Sequence, residues 1–292
     1  MYDEFEKETL TCPVCFRRCR LTKGQTGFCK GRGNRDGAVV PLNYGKLTSI
    51  ALDPIEKKPL RRYHPGSAVL SVGSFGCNLH CPFCQNNEIS YAGQEDIPTR
   101  YVSPEELCSL ALSYRDRGNI GVAYTYNEAL VGFEYVRDTA RLVHEAGLFN
   151  ILVTNGCVRP EILNEILPYM DAMNIDLKSF QEDVYRDILK GNLPDVKAFI
   201  ERAVQFCHVE LTTLIVPGMN DSDEEMEEIS SYIASLKNVN PEQGSGTNIP
   251  LHISRFFPRA AYSDKEPTPV ETIYHLADIA RRHLNYVYTG NC

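Results

Sequence analysis

From Ala68 onward, short apolar runs alternate with amphipathic stretches of helical period, whereas the first 66 residues show little periodicity of either kind. The apolar runs predict buried strands over 68–73, 120–126, 149–154, 171–177, 208–216 and 249–257. Between them lie candidate helices near 131–146, 160–168, 181–189, 194–206 and 270–284. Two more open on capping signals: Ser103-Pro104-Glu105-Glu106 sets a cap before a first-turn proline, and Ser222-Asp223-Glu224-Glu225 loads acids into a first turn. Strand and helix signals that alternate in this way describe βα units on a parallel sheet. The fold class is α/β, and six units predict a partial, open, TIM-like (β/α)6 barrel whose functional residues belong at the strand C-termini. We divide the chain into an N-terminal cysteine-rich module over 1–66 and the barrel over 67–292. The module carries short strands near 39–42 and 47–50, and 238–248 has the composition of a flexible loop.

Length and charge narrow the reading further. The 292 residues are 43% hydrophobic, enough for one barrel and an appendage. A net charge of −8 argues against non-specific nucleic-acid binding. The sequence opens on no charged and apolar leader and holds no 18-residue apolar run, so the expected location is cytoplasmic, with no membrane partner. In that compartment the eleven cysteines are expected to be reduced metal ligands or core thiols rather than disulfides.

The cysteines fall into two groups. Gly76-Cys77-Asn78-Leu79-His80-Cys81-Pro82-Phe83-Cys84 has the spacing C-x3-C-x2-C and follows directly on the first predicted barrel strand. A structural zinc site wants four protein ligands, whereas a cubane cluster held by three thiolates keeps one iron open for chemistry. The plainer alternative is a set of buried or zinc-binding thiols. The second group, Cys12, Cys15, Cys19 and Cys29, has the spacing C-x2-C-x3-C-x9-C and forms a closed four-thiol site. Structural zinc is its simplest occupant, and an auxiliary iron–sulfur cluster is the competitor. Cys108, Cys157 and Cys207 sit in apolar surroundings and are expected in the core. Cys292 has no assigned role.

Polar residues collect where the strands should end. Tyr126-Asn127-Glu128 places carbonyls and a carboxylate suited to an ammonium group. Thr154 and Asn155 are either ligand contacts or part of a capping turn. Asp176 and Lys178, two apart, form a structural ion pair or a ligand clamp. His252 is as consistent with a satisfied core histidine as with a ligand. Arg255 is expected to aim a bidentate guanidinium into the barrel mouth, at an anionic substrate or the cofactor's carboxylate. Tyr91, Tyr124, Tyr126 and Phe257 are expected either to line that mouth or to pack in the core.

Cys77, Cys81, Phe83 and Cys84, in the form C-x3-C-x-Phe-C, resemble the signature of radical S-adenosylmethionine (SAM) enzymes. The resemblance implies a [4Fe-4S] cluster whose open iron binds the amino and carboxylate groups of SAM. One electron, from a flavodoxin- or ferredoxin-type reductant, then cleaves the sulfonium bond to give a 5'-deoxyadenosyl radical that abstracts hydrogen. Cys77, Cys81, Cys84 and Arg255 are assigned catalytic roles. Phe83, Tyr126, Asn127, Glu128, Thr154, Asn155, Asp176, Lys178 and His252 are assigned to the cofactor. Asn174-Ile175-Asp176-Leu177-Lys178 and the run from Val209 to Asp221 are similar to pyruvate formate-lyase activating enzymes. The N-terminal cysteines, Gly76–Asn86, Tyr124–Glu128 and His252–Pro258 together resemble the radical enzyme of the AmmeMemoRadiSam system. That likeness implies Memo-like and AMMECR1-like partner proteins and a small-molecule or protein substrate. Members of that family commonly continue past Tyr288–Asn291 with a cysteine-containing tail, where this sequence ends at Cys292. Two alternatives stand beside it: activation of a glycyl radical enzyme, although the Gly-Pro-Gly segment usual ahead of the cluster in such activases is missing, and a non-catalytic metal-binding interaction module.

Overall fold

The computed structural model describes residues 9–292. The N-terminal part contains β1 (Leu10–Thr11) paired with β2 (Arg20–Leu21), β3 (Arg32–Arg35) paired with β4 (Ala38–Pro41), and β5 (Lys46–Leu47). The chain then enters the main sheet with β6 (Ser49–Pro54) and β7 (Ala68–Gly73). A short β8 (Arg100–Tyr101) pairs back to β5. The sheet continues with β9 (Asn119–Tyr124), β10 (Phe149–Thr154), β11 (Ala172–Asp176), β12 (His208–Ile215), β13 (Leu251–Arg255) and β14 (Val287–Gly290).

Eight strands lie in the order β14-β13-β12-β11-β10-β9-β7-β6. All neighbours are parallel except β6, which runs antiparallel to β7. The sheet is open, with β6 at one edge and β14 at the other. Central strands are buried on both faces, as a parallel sheet flanked by helices requires: in β7, Val69 and Ser71 face one way, Leu70 and Val72 the other, and all four are buried. The helices Pro104–Ser113, Phe133–Glu145, Pro160–Ile166, Leu193–Ala203, Asp223–Ser235 and Val270–Ala280 follow the strands in turn. Ser103 caps the first, accepting from Glu106 N at 3.2 Å while Glu106 Oε2 accepts from Ser103 N at 2.8 Å.

The six expected barrel strands are present, with three differences around them. Ser49–Pro54, placed by the sequence reading in the N-terminal module, is hydrogen-bonded into the main sheet as an antiparallel edge strand. Val287–Gly290 adds a seventh parallel strand. The 238–248 stretch is not a free loop, because Asn240 and Gln243 are buried and Gln243 bonds Val209 through both N (2.9 Å) and O (2.8 Å).

Residues 55–66 plug the end of the sheet where the strands begin. Ile55, Leu60 and Tyr63 pack on Val69, Ala123, Ile151 and Ala172. The main-chain amides of Arg61 and Arg62 donate to Glu210 at 2.9 and 2.7 Å. Beside this plug a cavity of about 340 Å³ remains, lined by Arg62, His64, His208, Gln243 and Tyr286; the cysteine loop lies at the opposite end, past the C-terminus of β7.

Candidate active site

The loop after β7 is shaped from its backbone outward. Gly76 has φ +90°, and a Cβ there would lie 2.5 Å from the Cys29 carbonyl, so only glycine fits. Asn127 holds the loop from behind: its Oδ1 accepts from Ser74 N at 3.0 Å and its Nδ2 donates to Phe75 O and Gly76 O at 3.2 and 2.9 Å. Asn78 is fully buried, donates to Cys157 O at 2.7 Å and accepts from Asn155 Nδ2 at 2.9 Å. Tyr91 stacks on His80 at 4.1 Å and donates its hydroxyl to the Cys81 carbonyl. Each contact fixes the direction in which a cysteine leaves the chain.

Two N–H donors face one sulfur of the loop, while burial keeps the thiols protonated in the absence of a metal. Cys77 Sγ receives Leu79 N at 3.4 Å and Asn155 Nδ2 at 3.6 Å. Burial pushes Cys77 far above the usual thiol range and Cys81 up to about 12, although the Lys178 ammonium pulls Cys81 down. Such thiols ionise when a metal replaces their protons. Lys178 is held by Asp176 at 2.8 Å. Burial works against its charge, but Asp176 and Cys81 outweigh it and raise its pKa.

Glu128 departs from its expected role. It is 2% exposed; its Oε1 accepts from Thr154 Oγ1 at 2.8 Å and Leu130 N at 3.2 Å, and its Oε2 from Asn155 N at 2.7 Å. Burial raises its pKa to about 7, against the pull of those donors. The carboxylate therefore braces the exit of β10 instead of standing free for an ammonium group. Asn127 likewise spends its amide on the cysteine loop. Tyr126 adopts φ +73° and gives its hydroxyl to Asp53 at 2.6 Å, where Lys58 also binds at 2.9 Å. Its carbonyl accepts from Asn86 Nδ2 at 2.8 Å.

Three further expectations move. Phe83 is buried, its ring 6.2 Å from that of Tyr262, so its side chain belongs to the core. His252 lies inside the sheet and bonds Glu210 at 2.6 Å, opposite His208 at 2.9 Å. The two histidines outweigh the effect of burial and hold Glu210 down at about 2. His252 is thus a satisfied core histidine on the plugged side. Arg255 shares its strand face with the buried Leu251 and Ile253 and donates Nε to Thr268 O at 2.6 Å, so it anchors the entry to the helix Val270–Ala280 rather than pointing into the mouth. Of the expected aromatics, Tyr124 is buried.

The structure therefore gathers Cys77, Cys81, Cys84, Asn155, Asp176 and Lys178, with Glu128, Thr154 and Asn127 behind them. Sequence reasoning missed Asn78 and Gly76 as builders of the loop, although both lie within the motif. It also missed Glu210, whose histidine partners are two and 42 residues away. The second group, Cys12, Cys15, Cys19 and Cys29, lies within mutual electrostatic range, and burial raises Cys15 to about 12 and Cys29 to about 11. Cys108, Cys157 and Cys207 are buried in the core as expected.

Residues 71–232, more than half of the chain, match the model of the Radical SAM superfamily, and the chain belongs to that superfamily. It is 38% identical over 292 residues to an uncharacterized protein of Methanocaldococcus jannaschii, covering 99% of this chain and 84% of that one. Against the pyruvate formate-lyase 1-activating enzyme of Escherichia coli K12 it is 26% identical over 175 residues, covering 56% and 68%. Among solved structures, Streptococcus suis SuiB bound to S-adenosylmethionine aligns with TM-score 0.57 and 12% identity, over 77% of this chain and 52% of that one. HydG, a maturase of the [FeFe]-hydrogenase, aligns with TM-score 0.55 and 13% identity over 75% and 50%. These two show likeness of fold, and the chain spans about half the length of each.

Family membership sets aside the non-catalytic reading: the chain is an enzyme of radical, oxidoreductase-type chemistry. The family implies a [4Fe-4S] cluster and SAM, and its enzymes generally need a one-electron reductant. The site suits that cluster, since one loop offers three thiols and Cys77 already has two N–H donors for an anionic sulfur. Among the described residues, no three His, Cys, Asp or Glu side chains converge on a position for a single metal ion. No helix of the described residues is long and apolar enough to cross a membrane.

Proposed function

We propose that the chain reductively cleaves SAM at a [4Fe-4S] cluster on Cys77, Cys81 and Cys84 and uses the resulting 5'-deoxyadenosyl radical to abstract hydrogen from a substrate. The observation that carries this reading is the loop that offers three thiols, oriented by Asn78, Asn127 and Asn155. When bound, the cluster supplies the electron and an open iron. The chain's own residues do the rest. Asn155 and the Leu79 amide stabilise charge on Cys77 sulfur, Lys178 stabilises charge on Cys81, and the Asp176–Lys178 pair offers both signs of charge to the zwitterionic end of SAM. Glu128 and Thr154 hold β10 so that Asn155 stays in place.

The motif resemblance over nearly the whole chain supports assignment to the AmmeMemoRadiSam system, with Memo-like and AMMECR1-like proteins as partners. Anaerobic co-purification from cells expressing all three tests it: a stable or SAM-dependent complex supports the assignment, and failure of either partner to associate or to alter turnover rejects it.

A second reading, activation of a glycyl radical enzyme, is favoured by the 26% identity to the Escherichia coli activase and by a 28% match over 181 residues to the activating enzyme of Clostridium pasteurianum. A glycyl radical spectrum in a co-expressed partner after reduction with SAM would establish it. The N-terminal four thiols are proposed as a second metal site.

A further inference from the structure

The N-terminal module bonds the main chain of the cysteine motif itself at Cys77 and Asn78. Cys77 N donates to Cys29 O at 3.1 Å, and Arg17 Nε donates to Asn78 O at 3.0 Å. Cys29 belongs to the N-terminal thiol group, and the Arg17 guanidinium lies within electrostatic range of Cys15, Cys19 and Cys29. Gly76, with no room for a Cβ against Cys29 O, keeps this junction tight. A short path therefore runs from Cys29 sulfur through its own main chain, across one hydrogen bond, and through the Cys77 main chain to Cys77 sulfur.

The outer surface of the module adds an independent observation. Residues 9–40 hold seven bases and the single acid Asp36 in a chain of net charge −8, and of the seven Arg32 is buried against Glu134 and Lys30 pairs with Asp96. Arg18 and Arg20, on either side of Cys19, and Lys23 are exposed, with no ion pair among the described residues. Phe28, beside Cys29, is 45% exposed, with the Arg17 guanidinium 3.5 Å over its ring. Exposed, unpaired bases and an exposed aromatic close to the thiol group in sequence, on an acidic protein, suit an acidic partner. The family supplies the class of that partner, since its enzymes need a one-electron donor.

We infer that the N-terminal module is the electron-entry port: an acidic one-electron carrier protein docks on the Arg18–Arg20–Lys23 face, and an iron–sulfur cluster on Cys12, Cys15, Cys19 and Cys29 relays its electron through the Cys29–Cys77 contact. This rests on the proposed function and decides between the two occupants of the four-thiol site. The carrier loses one electron, the N-terminal cluster gains it and passes it on, and no bond or proton changes place. Zinc cannot do this, because it has no redox chemistry.

The test uses the anaerobically purified full chain and hydroquinone flavodoxin as the carrier. Metal analysis is expected to give about eight irons per chain and no zinc, the content of two cubanes. One zinc with about four irons overturns the inference. In the C12S/C15S variant about four irons should remain, and the electron paramagnetic resonance signal of the remaining cluster should appear at the wild-type rate with dithionite but at least about tenfold more slowly with flavodoxin. Equal slowing by both reductants, or by neither, contradicts it. The variant R18E/K23E leaves the thiols intact, so folding does not confuse it. It should lower the flavodoxin association rate roughly tenfold and flatten its salt dependence, and unchanged binding overturns the docking face. Failure of the wild type to cleave SAM with dithionite would instead count against the proposed function.

Discussion

Asn155 Nδ2 lies 3.6 Å from Cys77 Sγ and 2.9 Å from Asn78 Oδ1, so one amide both touches a proposed cluster sulfur and fixes the residue next to it. Hydrogen bonds to ligand sulfurs favour the reduced state of a cluster. Asn155→Ala is expected to shift the midpoint potential to a more negative value and to slow SAM cleavage roughly 10- to 100-fold, the usual cost of losing an outer partner. A redox titration followed by electron paramagnetic resonance reads the shift; an unmoved potential rejects the role.

The buried carboxylate behind Asn155 sets a pH dependence. Glu128 has a folded pKa of about 7, above its unfolded value near 4.5. The neutral form is favoured in the fold, so its stabilising effect is complete below about pH 4.5 and is lost as pH rises through about 7. The difference corresponds to about 3 kcal/mol. Denaturation midpoints of the wild type should therefore fall between about pH 5 and 8, and Glu128→Gln should remove most of that slope. Parallel slopes in the two proteins would show that Glu128 does not titrate in this range.

At the opposite end of the sheet, Glu210 is a stability element. It accepts His208, His252 and the amides of Arg61 and Arg62, which together hold the plug in place. Glu210→Ala should destabilise the protein by about 3–5 kcal/mol while leaving the SAM affinity of the folded protein unchanged. The group is held at about 2, below its unfolded value, so the difference between wild type and variant should shrink as pH falls from about 4.5 toward 2. A loss of SAM affinity in Glu210→Ala or His252→Asn would return His252 to the cofactor.

Lys178→Met removes the ammonium next to Cys81 and leaves Asp176 facing the thiolates. Isothermal titration of the reconstituted protein should show SAM binding weakened at least about tenfold, in line with the loss of one charge-assisted contact. Unchanged affinity would reduce the pair to a structural ion bridge.

Much of this was legible in the sequence. The strands of a parallel sheet are buried on both faces, so they stand out as continuous apolar runs such as Ala68-Val69-Leu70-Ser71-Val72, and the cysteine spacing is a local signal. β6 was not legible as part of the sheet, because Ser49–Pro54 is an antiparallel edge strand whose pattern resembles the short strands before it. Arg255 was misplaced although strand alternation puts it with Leu251 and Ile253, away from His252. Glu128 and Asn127 were found as site residues but not in their roles, because what they hold, Asn155 and the Phe75–Gly76 carbonyls, lies 27 to 52 residues away. Pairings at that separation are set by packing and leave no local pattern.

The account rests most directly on the loop of Cys77, Cys81 and Cys84. Anaerobic protein, reconstituted with iron and sulfide, reduced with dithionite and supplied with SAM, should form 5'-deoxyadenosine, and Cys77→Ser, Cys81→Ser and Cys84→Ser should each abolish it while Cys108→Ala leaves it intact. Absence of 5'-deoxyadenosine from the wild type, or its persistence in any of the three serine variants, would contradict the assignment.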